Sequence, residues 1–448
     1  LSEKTRSSIT NPNKKIWAIA GPAIIANSSA PLVGLVDTWV IGHMPGAVHL
    51  AAVGVGAAIF SFLFWGFGFL RMSTTGLVAQ AHGRKSTQEI TQTMARSIIL
   101  GILIAAIILL LQSTIFWVAE QALAPPDAAK PLVADYFHVR IWAAPATLFI
   151  YSLTGYLLGT AQAKAALYLQ LLLNISNGIL NLVFVIGLDM GVTGIALGSA
   201  IAEWLAAAFG LYLLARKFGL APIITAATNR ATYTLEEISK LLSANGYIFL
   251  RTLLLMTALA MVTRQAATLG EAALAANQVL ITFLLLISLG LDAFAHAAEA
   301  YVGSAYGKKD KTEFRFWVMR TNLWAGGIAL FYSLGFYLAG DMLIDTLTNI
   351  ESVRINAKGV LPVMALMPVF AVWCYQFDGI FIGATAGRGM LLTMAAAFIG
   401  YAATVSWLTA SYGLTGLWMA LTLFMTLRGL AQLVYYPRVE RKLQDNIS

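Results

Sequence analysis

Polar positions along this chain are spaced as interruptions. Apolar runs of roughly 20 residues recur from end to end, broken by short charged or Pro/Gly segments, which is the spacing of membrane-spanning helices. The pattern predicts spans at about 16–41, 50–72, 95–118, 136–159, 166–187, 192–215, 241–264, 273–300, 318–339, 358–384, 389–409 and 413–435. Prolines at 22, 31, 145 and 362 and the Asn245-Gly246 pair fall within or near these runs. Membrane helices tolerate such breaks where neighbours satisfy the freed backbone groups. The expected fold is therefore an all-α polytopic membrane protein of twelve helices. The segment 216–240 is the longest expected cytoplasmic connection. It separates an N-terminal lobe, 1–215, from a C-terminal lobe, 241–448. Segment 340–357, also long and mixed in charge, is expected to form a short helix on the outer face.

Composition agrees with the pattern. Of 448 residues, 59% are hydrophobic and 11% charged, with a mean hydropathy of +0.75. A soluble domain carries about a quarter charged residues. The net charge of +8 raises the question of nucleic acid, but the basic residues sit in alternate loops. Twenty-two of the 29 fall on one set of alternate segments, including both ends, and five on the other. The positive-inside rule then puts both termini in the cytoplasm and accounts for the basic charge without a nucleic-acid partner. Lys14 and Lys15 lead straight into an apolar run too long for a cleaved signal. The one cysteine, Cys374, lies in an apolar run and excludes an internal disulfide.

The second half echoes the first at an offset of 224 residues. LAAVGVGAAIF at 50–60 matches LAANQVLITFL at 274–284, and VAQAHGRKSTQE at 78–89 matches VGSAYGKKDKTE at 302–313, with Gly83 and Gly307 in equivalent turns. With six spans in each half, the two copies run in the same direction. Parallel repeats suit alternating access. They suit a static scaffold poorly, and a channel would need a continuous polar stripe that the sequence lacks.

Ionisable residues inside such spans are costly and mark functional sites by default. Asp37, in GLVDTWVIGHM, lies about 6 Å inside the outer end of the first span, counted at 1.5 Å per residue. Its repeat position is Met261, so the acid belongs to one lobe only. A carboxylate there can hold a proton, a Na⁺ or a cationic substrate in exclusive states, unless it merely meets headgroups and water. The fifth span, LLLNISNGILNLVFVIG, places Asn174, Asn177 and Asn181 at spacings of three and four, forming one polar stripe. Its outer members reach the depth of Asp37, either to coordinate there or to bind helix to helix. Ser199 in the sixth span adds a hydroxyl at similar depth. Glu203, mid-span on the same helix, either contacts substrate or couples, or else pairs with a base such as Arg251. In the second lobe, Asp292 and Glu299 share a face of the eighth span and Asp378 sits in the tenth. These three either bind cations or drugs, or clamp the lobes through Arg71, Arg251 or Arg320. Tyr151, with Phe60, Phe64, Trp65, Phe149, Tyr156 and Trp373, is a candidate to line a cavity for flat compounds. Most aromatics in such a chain face lipid or neighbouring helices.

The segment GRKS at 83–86 lacks the glycine frame of a nucleotide-binding loop, and five scattered histidines form no metal cluster. No reaction chemistry, cofactor or resident metal is expected, and the chain is not expected to be an enzyme.

Together with the twelve spans, GLVDTWVIGHM, LRMSTTGLVAQAHG at 70–83 and NISNGILN at 174–181 resemble the multidrug and toxic compound extrusion (MATE) family, and within it the bacterial DinF branch. The resemblance covers essentially the whole chain. It implies an inner-membrane antiporter exporting cationic, often aromatic, compounds in exchange for H⁺ or Na⁺, acting as a monomer. It also implies that Asp37 is the essential first-helix acid and that Asn177 and Asn181 line the N-lobe cavity. In many relatives the position of Asn181 is an aspartate. With an amide there, a Na⁺ held at Asp37, Asn177 and Asn181 has one formal counter-charge, which favours H⁺. A flippase for lipids or lipid-linked oligosaccharides, from the same superfamily, is the rival transporter. Such a protein would favour a basic cavity, whereas the buried charges here are mostly acidic.

Overall fold

The computed structural model describes residues 11–42 and 47–443, without the side chains at 30, 32–33, 35–38, 47 and 231. All regular structure among these residues is helical. Among the described residues, ten helices are long and apolar enough to cross a membrane. Their outward side chains are the large apolar ones that lipid accepts: Leu110 is 82% exposed, Tyr337 79% and Leu338 72%.

The chain opens with α1, Pro12–Gly42, which carries Pro22 and Pro31 inside it. Each proline removes a backbone donor and weakens the rod at that point. Next come α2 (Ala47–Gly66) and α3 (Phe69–Gly83), then α4 (Thr87–Leu110) and α5 (Gln112–Leu123). α6 (Lys130–Arg140) passes through a 3₁₀ turn at Ile141–Ala143 into α7 (Ala144–Gly159), where Pro145 occupies the first helical turn that tolerates it. α8 (Ala163–Asn181) widens into a π-helical stretch, Leu182–Gly187, before α9 (Gly191–Phe218). The connecting α10 (Ala221–Thr228) and a 3₁₀ turn lead to α11 (Leu235–Thr268), α12 (Glu271–Gly307), α13 (Lys311–Leu347), α14 (Glu351–Gly383) and α15 (Gly387–Arg441). Gly413, at φ 59° and ψ −137°, breaks α15 into two arms.

No separate helix occupies 340–357. α13 runs on to Leu347 and α14 begins at Glu351, so the polar residues there extend two long helices beyond the apolar zone. The fourth apolar run is likewise longer than the pattern at 136–159 suggests, because Lys130–Arg140 is already helical.

Turns recur in pairs. Lys85 and Lys309 share φ 58°, Ala161 and Thr385 have φ 58° and 51°, and Gly191 and Gly413 share φ 59°. After the first pair, Ser86 caps α4 by accepting from the Glu89 amide at 3.2 Å, and Asp310 caps α13 by accepting from the Glu313 amide at 2.8 Å. Both caps have nearly the same backbone angles, −94°/95° and −93°/97°. A left-handed residue followed by a side-chain cap is costly to form by chance in a non-glycine sequence.

The residues divide into two compact units. Among the described residues, one comprises 22–42, 47–81 and 85–240, the other 11–21, 82–84 and 241–443. In the first, α8 packs on α9, α4 on α7 and α9 on α6, around a core that includes Met94, Leu153, Tyr156, Leu169 and Leu214. In the second, α12 packs on α13 and α14, and α14 on α15. Trp418, fully buried there, donates to Asn277 Oδ1 at 3.1 Å.

Candidate coupling and transport site

The three asparagines on α8 are buried on one face, as their spacing predicts. Asn174 Nδ2 donates to Ser29 Oγ on α1 at 2.6 Å and receives Gln170 Nε2 on its own oxygen at 3.1 Å. One turn on, Asn177 Nδ2 donates to Ser199 Oγ on α9 at 2.8 Å. A further turn on, Asn181 Nδ2 reaches Asn177 Oδ1 at 3.4 Å. Asn181 fits because Gly198 faces it: a Cβ there would lie 2.3 Å from Asn181 Oδ1. The stripe thus ties α8 to α1 at one level and to α9 at the next. It uses neutral amides and hydroxyls, which are far cheaper to bury than charges when hydrogen-bonded. Asn181 also ends the regular α-helix, and such π-helical bulges occur frequently at functional sites.

Asp37 lies on α1, eight residues past Ser29. Its side chain is outside the described ones.

Glu203 follows Ser199 by one turn of α9 and is 7% exposed. Its partner is Arg140, at the end of α6, with Nη2 2.5 Å from Glu203 Oε1. Thr147, one turn into α7, donates to the other carboxylate oxygen. The Arg140 guanidinium also lies over the Phe60 ring, 5.7 Å from its centroid. The pairing with Arg251 weighed from sequence does not occur, because Arg251 is engaged elsewhere. Tyr151, on α7, donates to the Phe64 carbonyl at 3.3 Å. Removing Arg140 leaves a buried carboxylate with one hydroxyl, a loss that typically costs about 3–5 kcal/mol. Arg140→Met is therefore expected to lower thermal stability in detergent markedly, and the double variant R140M/E203Q to regain most of it. A single variant as stable as wild type would show the pair to be dispensable.

The second unit holds its own charge cluster. Asp378 on α14 accepts from Arg251 on α11, from Arg428 Nη2 on α15 at 2.8 Å, and from Gln432 Nε2 at 2.6 Å. Arg251, Arg428 and Gln432 are each at most 5% exposed. Asp292 on α12 lies within electrostatic reach of Arg251. Glu299 is buried two turns further along α12. Tyr375, beside Asp378's helix turn, shares a hydrogen bond with Ser288 at 2.6 Å. Arg140, Arg428 and Gln432 escape a sequence reading. Nothing local in the sequence marks which acid an arginine in a span meets.

Comparison with known proteins decides the family. The MatE family pattern matches residues 22–184 and 248–408, one stretch in each half. The chain belongs to the MATE family. Over 433 residues, spanning 96% of this chain and 93% of the relative, it is 37% identical to DNA damage-inducible protein F of Escherichia coli (strain K12), which places it in the DinF branch. Two solved structures share the fold at lower identity. The Vibrio cholerae MATE transporter VcmN in the bent form aligns with a TM-score of 0.85 and 20% identity, covering 96% of this chain and 97% of that one. A MOP superfamily transporter from Pyrococcus furiosus, described as having a binding pocket of reverse polarity, aligns at 0.87 and 19% identity, covering 97% of each. This MATE protein is thus a secondary transporter of the membrane and not an enzyme.

Proposed function

We propose that this MATE protein exports cationic or amphipathic organic compounds from a bacterial cell in exchange for protons, with Asp37 as the coupling group. The observation that carries the reading is the one-sided amide and hydroxyl network of the first unit. It fastens α1 to α8 through Ser29 and Asn174. Counted from that contact, Asp37 is eight residues on along α1 and Asn181 seven residues on along α8. For two spans running in the same direction, the advances are about 12 and 10.5 Å. The acid then stands level with the neutral amides of Asn177 and Asn181. A proton needs only the one carboxylate. A Na⁺ would draw on Asp37, Asn177 and Asn181 with a single counter-charge.

Taking α1 as a span, and the arms of α15 either side of Gly413 as two, gives twelve helices. The paired turns support two parallel six-helix lobes, 1–215 and 241–448, joined by 216–240 on the cytoplasmic side with both termini. In the outward-open state Asp37 takes a proton. Neutralisation releases the cationic compound and lets α1, weakened at Pro22 and Pro31, repack. The lobes rock, the proton leaves on the inner side, and the emptied carboxylate accepts the next cation. The protein acts as a monomer in the inner (plasma) membrane. Drug efflux from vesicles under separately imposed gradients tests the coupling ion. Transport is expected with a pH gradient alone and not with a Na⁺ gradient alone; the reverse would assign Na⁺, and lipid scrambling with no drug movement would assign a flippase.

A further inference from the structure

The two arms of α15 enclose a groove of about 750 Å³ at the end of the helix pair that carries the C-terminal tail. Its walls are apolar: Leu392 and Ala396 from one arm, Leu427, Leu430, Ala431 and Val434 from the other. Val434 is 74% exposed, so the groove opens sideways, away from the protein interior. At its mouth stand Arg388 and Arg438, one from each arm. Both are exposed, and neither has an ion pair or hydrogen bond among the described residues. Elsewhere in the second unit, Arg315 pairs with Glu440 and Lys308 with Glu313. The Arg438 guanidinium sits 5.3 Å from the Tyr435 ring centroid. That ring is itself held against Gly389, where a Cβ would come within 2.6 Å of it.

We propose that this groove is a binding site for one anionic phospholipid, its phosphate between Arg388 and Arg438 and an acyl chain along Leu392, Leu430 and Val434. The pieces fit that occupant and few others. A soluble anion would use the arginines but not the apolar walls, and a neutral lipid would use the walls but leave two cations without a partner. Basic pockets between spans at the tail-side interface are where anionic headgroups bind, and each Lys or Arg near an anionic surface contributes about five-fold in affinity. On the orientation proposed above, the lipid belongs to the cytoplasmic leaflet, but its binding requires only that both arginines share one interface. The site touches the second unit alone, so it is independent of Asp37 and of the coupling ion.

Native mass spectrometry of the full chain, offered equimolar phosphatidylglycerol and phosphatidylcholine in neutral detergent, tests the assignment. Wild type is expected to retain one phosphatidylglycerol in preference. R388Q/R438Q should lose that preference roughly ten-fold or more, in line with two interfacial charges. R216Q/K217Q, which removes two exposed charges from the end of α9, should leave it unchanged. Ala431→Trp, which fills the groove, should lower retention of both lipids at this site. Excess inorganic phosphate should not displace the lipid. A preference that survives R388Q/R438Q, falls equally in R216Q/K217Q, or is abolished by inorganic phosphate alone overturns the proposal.

Discussion

Asp37→Asn is expected to abolish proton-driven export while leaving the protein folded. In vesicles with an imposed pH difference of one unit, each proton supplies about 1.4 kcal/mol. One-for-one exchange with a monovalent cation can then hold about a ten-fold concentration difference of drug. Wild type should approach that difference and D37N should show none, because an amide of similar shape cannot take up and release the proton. Downhill leakage without accumulation is compatible with the variant. Full accumulation by D37N, in a preparation that elutes as wild type, would remove Asp37 from the coupling role. Asn181→Asp in the same assay gives the complementary reading. A second acid in the network should raise sensitivity to Na⁺ without restoring D37N.

The features legible in the sequence are those set by one helix at a time. Apolar runs longer than a bilayer requires can settle only as spanning helices, so the helical class follows from the runs themselves. The asparagine stripe is equally local, since spacings of three and four fix one face whatever the neighbour. Its burial and the Asn177–Ser199 bond are consistent with that reading. The acids were harder because a charge in a span is defined by what crosses it. Glu203 meets a base 63 positions away in sequence and Asp378 meets two, 127 and 50 away. Such distances carry no periodic signal. Arg140 shows the error most clearly. The fourth span is expected from about 136, yet the helix begins at Lys130, and no local pattern names Glu203 as the partner of Arg140. The same blindness hides the π-helical stretch after Asn181, where Phe184 lies against Gly194 and Asn181 against Gly198 of α9.

The largest stability effect is expected at Asp378, and it separates a structural clamp from a cation site. Asp378 already accepts from two guanidinium groups and an amide, so an incoming cation must displace bonded cations of the same charge. Arg251 Nε has no partner to fall back on if the carboxylate is lost. Asp378→Ala leaves two buried arginines facing one another, and breaking such a cluster typically costs about 3–5 kcal/mol or more. Lower yield and a sharply reduced melting temperature in detergent are expected. Replacing the whole set with apolar residues of similar size is often near neutral. R251M/R428M/D378L is therefore expected to recover part of that stability, less what Gln432 loses with its acceptor and Asp292 with the Arg251 charge. The triple variant then decides the function of the cluster by transport. Proton-driven efflux close to wild type would leave Asp378 a structural clamp and place all coupling in the first unit. A stable triple variant that binds no substrate, or no longer responds to the pH gradient, would instead make the second unit's charges part of the transport cycle, and Asp292 the next acid to replace.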